Sequence, residues 1–153
     1  MAVIGLISDT HGLLRPKVID ALKGVELILH AGDVGDGILA ELAAIAPVKA
    51  VRGNTDPVGD RDLPESVAIT HDGVRIHMSH GHELGVPTPS ELFATYDADV
   101  IIYGHTHRKV AEQLGKRWAV NPGAAGQRRF DARPSVARMT IVKGEVTIQF
   151  VEL

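Results

Sequence analysis

Ala2-Val3-Ile4-Gly5-Leu6-Ile7-Ser8-Asp9-Thr10-His11 opens the chain with an unbroken apolar run that stops at an acid and a histidine. A continuous run of this kind, Ala2–Ser8, predicts a strand buried on both faces, as in the parallel sheets of α/β proteins. Two further runs repeat the pattern. Val25–His30 and Val48–Arg52 read as buried strands, followed by Gly32-Asp33 and by Gly53-Asn54-Thr55-Asp56. Between them, Pro16–Lys23 predicts a helix with Pro near its first turn. A second helix is expected from a cap at Asp36 to about Ala46, where Pro47 stops it. The order strand–helix–strand–helix–strand implies parallel pairing through right-handed crossovers. Asp9, Asp33 and Asn54 then each follow the C-terminal end of a strand, which is where parallel α/β sheets place ligand sites.

The second half has a different rhythm. Ser66–Thr70 and Val74–Ser79 predict a hairpin closed by Asp72-Gly73. Ser90–Tyr96 reads as a short helix after Pro89, and Val100–Tyr103 as another apolar strand. Lys109–Leu114 and Trp118–Asn121 are short strands, and Val136–Val142 with Glu145–Val151 form a closing hairpin around Lys143-Gly144. A βαβ half therefore leads into a β-rich half, which two packed sheets with helices outside would accommodate. His80 and His105 also directly follow strands, so the candidate site residues can meet on one edge of the sheets.

Composition narrows the function classes. The chain has 153 residues, 44% hydrophobic and 23% charged, which fits one soluble globular domain spanning 1–153. Aromatic residues are only 4%, so aliphatic side chains must fill the core. The net charge of −3 offers no basic excess for nucleic acid. The absence of cysteine excludes disulfides and thiolate-bound zinc and suits a reducing compartment. The first apolar run is too short for a signal peptide or a membrane helix, so no membrane association and a cytoplasmic location are expected. The sequence leaves the oligomeric state open, a homo-oligomer included.

Six short polar segments carry the chemistry: Asp9-Thr10-His11, Gly32-Asp33, Gly53-Asn54-Thr55-Asp56, His80-Gly81-His82, Gly104-His105-Thr106-His107 and Asn121-Pro122-Gly123. Carboxylate and amide oxygens alternate with imidazoles. That donor mixture suits Mn²⁺, Fe or Zn²⁺ better than Ca²⁺ or Mg²⁺. Asp9 and His11 are two apart in a loop and can turn to one ion; His105 and His107 repeat the spacing. A carboxylate such as Asp33 has two oxygens and can bridge two ions. Two ions roughly 3.5–4 Å apart would clamp a bridging hydroxide and both oxygens of an in-line displacement at phosphorus.

Taken in order, these segments resemble the calcineurin-like metallophosphoesterase superfamily, and the short length and Gly53-Asn54-Thr55-Asp56 are similar to its small YfcE-type phosphodiesterases. The resemblance runs from Asp9 through Asn121 to Pro134-Ser135. It implies a four-layer αββα sandwich of two mixed sheets flanked by helices. It implies two divalent ions, with Mn²⁺ expected and Fe, Zn or Ni as alternatives. Asp9, His11 and His107 would hold the first ion, Asn54, His80 and His105 the second, and Asp33 would bridge. The implied activity is metal-dependent hydrolysis of a small phosphodiester. Asp33, Asn54 and His82 are the candidate catalytic residues, with His82 open to three roles: lining the phosphate pocket, supporting a ligand from behind, or donating a proton. Thr55 stands where many members carry a histidine that protonates the leaving oxygen, and Ala124 where Ser is usual. The alternatives are a phosphomonoesterase and a non-catalytic scaffold resembling the retromer subunit of this fold.

Other residues have plainer readings. Asp56 is expected to be structural, and His30 to hydrogen-bond the backbone. His71 and His77 are expected on strand surfaces, and Trp118 in packing. Arg128, Arg129 and Arg133 form a basic cluster that either is solvated or reaches substrate.

Overall fold

The apolar run that opens the chain becomes β1 (Ala2–Ile7), the middle strand of a five-stranded sheet, in a computed structural model that describes residues 1–128 and 132–153. The strands of that sheet are β10 (Glu145–Glu152), β9 (Ser135–Val142), β1, β2 (Leu27–His30) and β3 (Val48–Ala50), in that spatial order. β1, β2 and β3 pair in parallel, as the crossover pattern requires, with α1 (Lys17–Ala21) and α2 (Ile38–Ala43) as the connections. β9 pairs antiparallel with β1, so the closing hairpin completes the sheet begun by the first residues.

A second five-stranded sheet runs β4 (Ser66–His71), β5 (Val74–Ser79), β6 (Val100–Ile102), β8 (Arg117–Asn121), β7 (Val110–Leu114). β5, β6 and β8 are parallel to one another, and β4 and β7 are antiparallel edges. α3 (Pro89–Thr95) connects β5 to β6; Thr88 caps it by accepting from the Glu91 N–H.

Alternation along β1 assigns the layers. Ile4 and Leu6 enter a cluster with Ile76, Met78, Val100, Ile102 and Met139, which fills the space between the sheets. Val3 and Ile7 point the other way, to Val18, Leu22, Ile38 and Leu42 beneath α1 and α2. Leu92 of α3 packs on Ile101, Tyr103 and Ala119 on the outer face of the second sheet. The fold is therefore an αββα sandwich of two mixed sheets. No helix among the described residues is long and apolar enough to cross a membrane.

Two expectations need correction. α2 starts at Ile38 rather than at an Asp36 cap, and ends at Ala43; Gly37, at φ 80°, turns the chain in without a side-chain cap. The left-handed backbone needed there is one that glycine adopts without strain. His77 is not a strand-surface residue: it is half-buried, and its ring stacks on Tyr96 at 3.8 Å, in the layer that α3 covers. His71 does lie at the surface, paired with Glu26 at 3.1 Å, and Trp118 packs against the core.

The inter-sheet layer should dominate stability. Leu6→Ala is expected to cost about 3 kcal/mol in urea unfolding, because it opens a cavity between two sheets that cannot both collapse. Leu114→Ala, on an exposed edge strand, should stay within about 0.5 kcal/mol. Similar losses for the two would show that this layer is not the core.

Candidate metal centre

Parallel strands leave their C-terminal ends on one edge, and five loops leave that edge together. Asp9 and His11 follow β1, Asp33 follows β2, Asn54 follows β3, His80 follows β5, and His105 and His107 follow β6. The two sheets meet at this seam through side-chain polar atoms. Asp9 Oδ1 lies 3.1 Å from His80 Nε2, 3.2 Å from His107 Nε2 and 3.9 Å from His11 Nε2. Asp33 Oδ2 lies 3.4 Å from His80 Nε2 and 3.6 Å from His11 Nε2. Ligand atoms of Asp9, His11 and His107 form one mutually close group, and those of Asp9, Asp33 and His80 a second.

The first group is the one the sequence expectation assigns to the first ion. In the second, His80 is joined by Asp9 and Asp33. His105 stands beside it, with the two rings 5.1 Å apart, and Asn54 is exposed on the wall of the adjoining cleft. His82 lies behind His80, with its Nδ1 3.0 Å from His80 Nδ1. It meets the far side of that ring from Nε2, which faces the Asp9 and Asp33 carboxylates.

Backbone strain marks the same residues. Asp9, His11, Asp33, His105 and His107 all have positive φ, between 48° and 71°, and they are five of the seven non-glycine residues that do among the described residues. Such conformations cost roughly 1–3 kcal/mol each and persist where the surroundings over-determine them. The surroundings here are specific. Asp9 Oδ2 accepts from the Ser8 hydroxyl at 2.6 Å and from the His105 N–H at 3.2 Å. Asp33 Oδ1 accepts from the Thr55 N–H at 3.0 Å. The buried Asp56 carboxylate accepts from the backbone N–H of Val34, Gly35 and Gly53, and is a structural clamp as expected. Asn121 donates to the Gly104 carbonyl and to Thr106 Oγ1, and so fixes the loop that carries His105 and His107. Gly53 and Gly104 leave room for nothing larger, since a Cβ there would meet Asp33 and the Ser8–Asp9 pair.

Burial alone would raise the carboxyl pKa of Asp9, but hydrogen bonds from His107, His80 and Ser8 and the charge on His80 outweigh it and hold it far below the ordinary range. Burial pulls His80 down, yet the Asp9 hydrogen bond and charge prevail and raise it. His105 is lowered, by burial first and by the charge of His80 second. The centre thus concentrates anionic oxygen among imidazoles at a buried point, the donor chemistry that a dication satisfies.

A cleft of about 800 Å³ opens over this seam, and its walls include His11, Asp33, Asn54, Thr55, His105 and His107. Arg108, Lys109, Arg133 and Glu152 line the same cleft. Of the basic cluster expected from sequence, Arg133 reaches the cleft, Arg128 is exposed away from the lining, and Arg129 lies outside the described residues. Sequence reading missed Lys109 and Glu152, which become neighbours only when β7 and β10 come together. It also missed Glu83, which accepts from the Ser79 and Tyr96 hydroxyls, each at 2.6 Å, and from the Gly81 N–H, fixing the turn between His80 and His82.

The profile of the calcineurin-like phosphoesterase superfamily domain matches residues 2–144. The chain belongs to that superfamily. A probable metallophosphoesterase of Methanothermobacter thermautotrophicus is 35% identical over 147 residues, covering 90% of this chain and 80% of that protein. Phosphodiesterase YfcE of Escherichia coli is 40% identical over 142 residues, covering 76% of each. Among solved structures, Vps29 of Chaetomium thermophilum superposes with a TM-score of 0.81 at 24% identity, over 99% of this chain and 95% of that one, a likeness of fold.

His30 offers a pH test of the scaffold under this seam. It is fully buried; its Nδ1 accepts from the Gly32 N–H at 3.1 Å, so Nε2 carries the proton and donates to Thr10 Oγ1 at 2.9 Å. Thr10 in turn donates to the Val34 carbonyl at 2.6 Å. Burial pushes the imidazole down to about 4 from an ordinary 6.5. Below pH 6.5 the unfolded chain therefore takes up a proton that the folded chain refuses, and stability falls as pH drops toward 4. Between pH 7 and 5, His30 should remove about 2 kcal/mol of stability in chelator-treated protein. Urea unfolding of wild type and His30→Gln at both pH values measures this; equal pH slopes for the two would contradict it.

Proposed function

We propose that the chain is a hydrolase of small phosphodiesters that depends on two divalent ions, Mn²⁺ foremost with Fe, Zn and Ni as alternatives. The convergence of Asp9, Asp33, His11, His80 and His107 at the floor of an open cleft carries this reading. The donor set fits such ions, because two carboxylates and several imidazoles match Mn²⁺, Fe or Zn²⁺ better than Ca²⁺ or Mg²⁺. Asp9, His11 and His107 would hold one ion, and Asn54, His80 and His105 the other, with Asp33 shared. The proximity of His80 to both carboxylates supports a shared centre. Bound ions would supply an activated water near neutral pH and would offset charge on the phosphoryl oxygens.

The side chains of this protein set the rest of the chemistry. Asn54 and His105 line the cleft wall, which supports their assignment to the second ion, and Asn54 would also face the phosphoryl group. The Thr55 N–H orients Asp33, while its hydroxyl has no proton to give near neutral pH. His82, behind His80, would act through that ring rather than on the substrate. Departure of the leaving group therefore receives little acid help, which favours diesters with acidic leaving groups over monoesters. The name of the Escherichia coli relative, a phosphodiesterase, supports the diester preference.

Asp33→Asn should lower diester kcat/KM by at least about 10³-fold, equivalent to roughly 4 kcal/mol of transition-state stabilisation. Near-normal turnover of Asp33→Asn with the wild-type metal content would reduce Asp33 to a turn residue.

Across a series of aryl diesters, rates should fall steeply as leaving-group pKa rises. Thr55→His, which leaves the backbone donor to Asp33 in place, should flatten that slope and raise the monoester-to-diester ratio. The gain should fall well short of the 10²–10⁴-fold typical of a well-placed general acid, because nothing around residue 55 is shaped to orient the ring. A flat slope in the wild type, with chemistry limiting, would point to an acid already present. Failure to hydrolyse any phosphate ester with ions bound would favour the scaffold reading.

A further inference from the structure

The metal centre uses one part of the cleft; another part is built from charges that the proposed hydrolysis does not require. Arg108 and Lys109 follow His107 directly, Arg133 precedes β9, and Glu152 ends β10. Glu152 accepts from Lys109 Nζ at 3.0 Å and from Arg133 Nη1 at 3.4 Å, so one carboxylate spans two cations. The Lys109 ammonium also sits 5.9 Å from the Phe150 ring centroid, and Phe150 lies two residues before Glu152 on the same face of β10. Lys109 is thereby held over the first sheet although it belongs to the second.

The side chains of these ion pairs are 44–67% exposed, and such pairs are weak and exchangeable. Among the described residues, Arg108, Lys109 and Arg133 share this wall with Glu152. Phosphate oxygens, which match the arginine fork and carry more charge than one carboxylate, would compete for the same donors. We propose that Arg108, Lys109 and Arg133 form a subsite for a second phosphate of the substrate, with Glu152 as the internal group it displaces. The substrate class is then a phosphodiester that carries another phosphate, of nucleotide size, in keeping with a cleft of about 800 Å³. This deepens the phosphodiesterase reading and rests on it.

The test compares two ligands by calorimetric titration of the metal-loaded protein: thymidine 3′,5′-bisphosphate and thymidine 5′-monophosphate. Wild type should bind the bisphosphate at least about 10-fold more tightly, a gain expected of added charge contacts at partly exposed groups. The double variant Lys109→Ala/Arg133→Ala should lose most of that ratio, and Glu152→Gln should enlarge it. Equal affinities in wild type, or an unchanged ratio in the double variant, would overturn the subsite. A smaller ratio in Glu152→Gln would overturn its role as the displaced group. Binding is read without turnover, so a parallel assay of an aryl diester with the same wild-type protein reports separately on the phosphodiesterase reading.

Discussion

A carboxylate buried where two sheets meet must be compensated, and the way Asp9 is compensated organises the rest of the molecule. Its side chain is fully enclosed, and removal from water would by itself disfavour the charged form. Four groups answer that cost: the Ser8 hydroxyl next to it, the His105 N–H, and the rings of His80 and His107. Ser8 belongs to the first sheet's loop, and the other three come from the second sheet. The hydrogen bonds that keep Asp9 ionised are thus the same ones that fix how the two sheets meet at their C-terminal edge. Truncating one of them leaves a buried charge short of a partner, which costs more than the contact itself is worth.

The positive φ angles follow from this geometry. A loop leaving a strand has to turn sharply to bring a short side chain back over the strand end, and the left-handed conformation is the shortest way to do it. Glycine would adopt it freely, but glycine has no donor atoms. The chain places aspartate and histidine there instead, at a backbone cost, and puts glycine where backbones pass close to other groups: Gly32 against His80 and Gly53, Gly53 against Asp33, and Gly104 against Ser8 and Asp9. His30, Thr10 and Asp56 support the turns from below with hydrogen bonds to the backbone of residues 32–35. The gathering of polar side chains at this edge comes at the expense of backbone ease.

The legible part of the fold was the part governed by local pattern. Val3 and Ile7 face the helices while Ile4 and Leu6 face the second sheet, so the unbroken apolar run correctly signalled burial on both sides. Helices after β1 and β2 and the Asp72-Gly73 hairpin also followed from local chemistry. The insertion of β9 beside β1, more than a hundred residues away, did not, because no local pattern encodes antiparallel pairing at that distance. Asp36 misled because an acid before a helix usually caps it, whereas here Gly37 makes the turn. His77 misled because strand alternation gives its side but not the presence of Tyr96 opposite. At the site, ordered motifs brought forward the residues that converge. Lys109 and Glu152 stayed hidden, since ordinary charges acquire meaning only from the cleft they share.

Whether this seam is a binuclear metal centre is decided by how many ions it holds. The most direct measurement is the metal content of the protein after chelator treatment and titration with Mn²⁺, read by elemental analysis alongside calorimetry. The account predicts saturation at two ions per chain, reduced by Asp9→Asn and by Asp33→Asn. Saturation at one ion, or binding unaffected by either substitution, would contradict it.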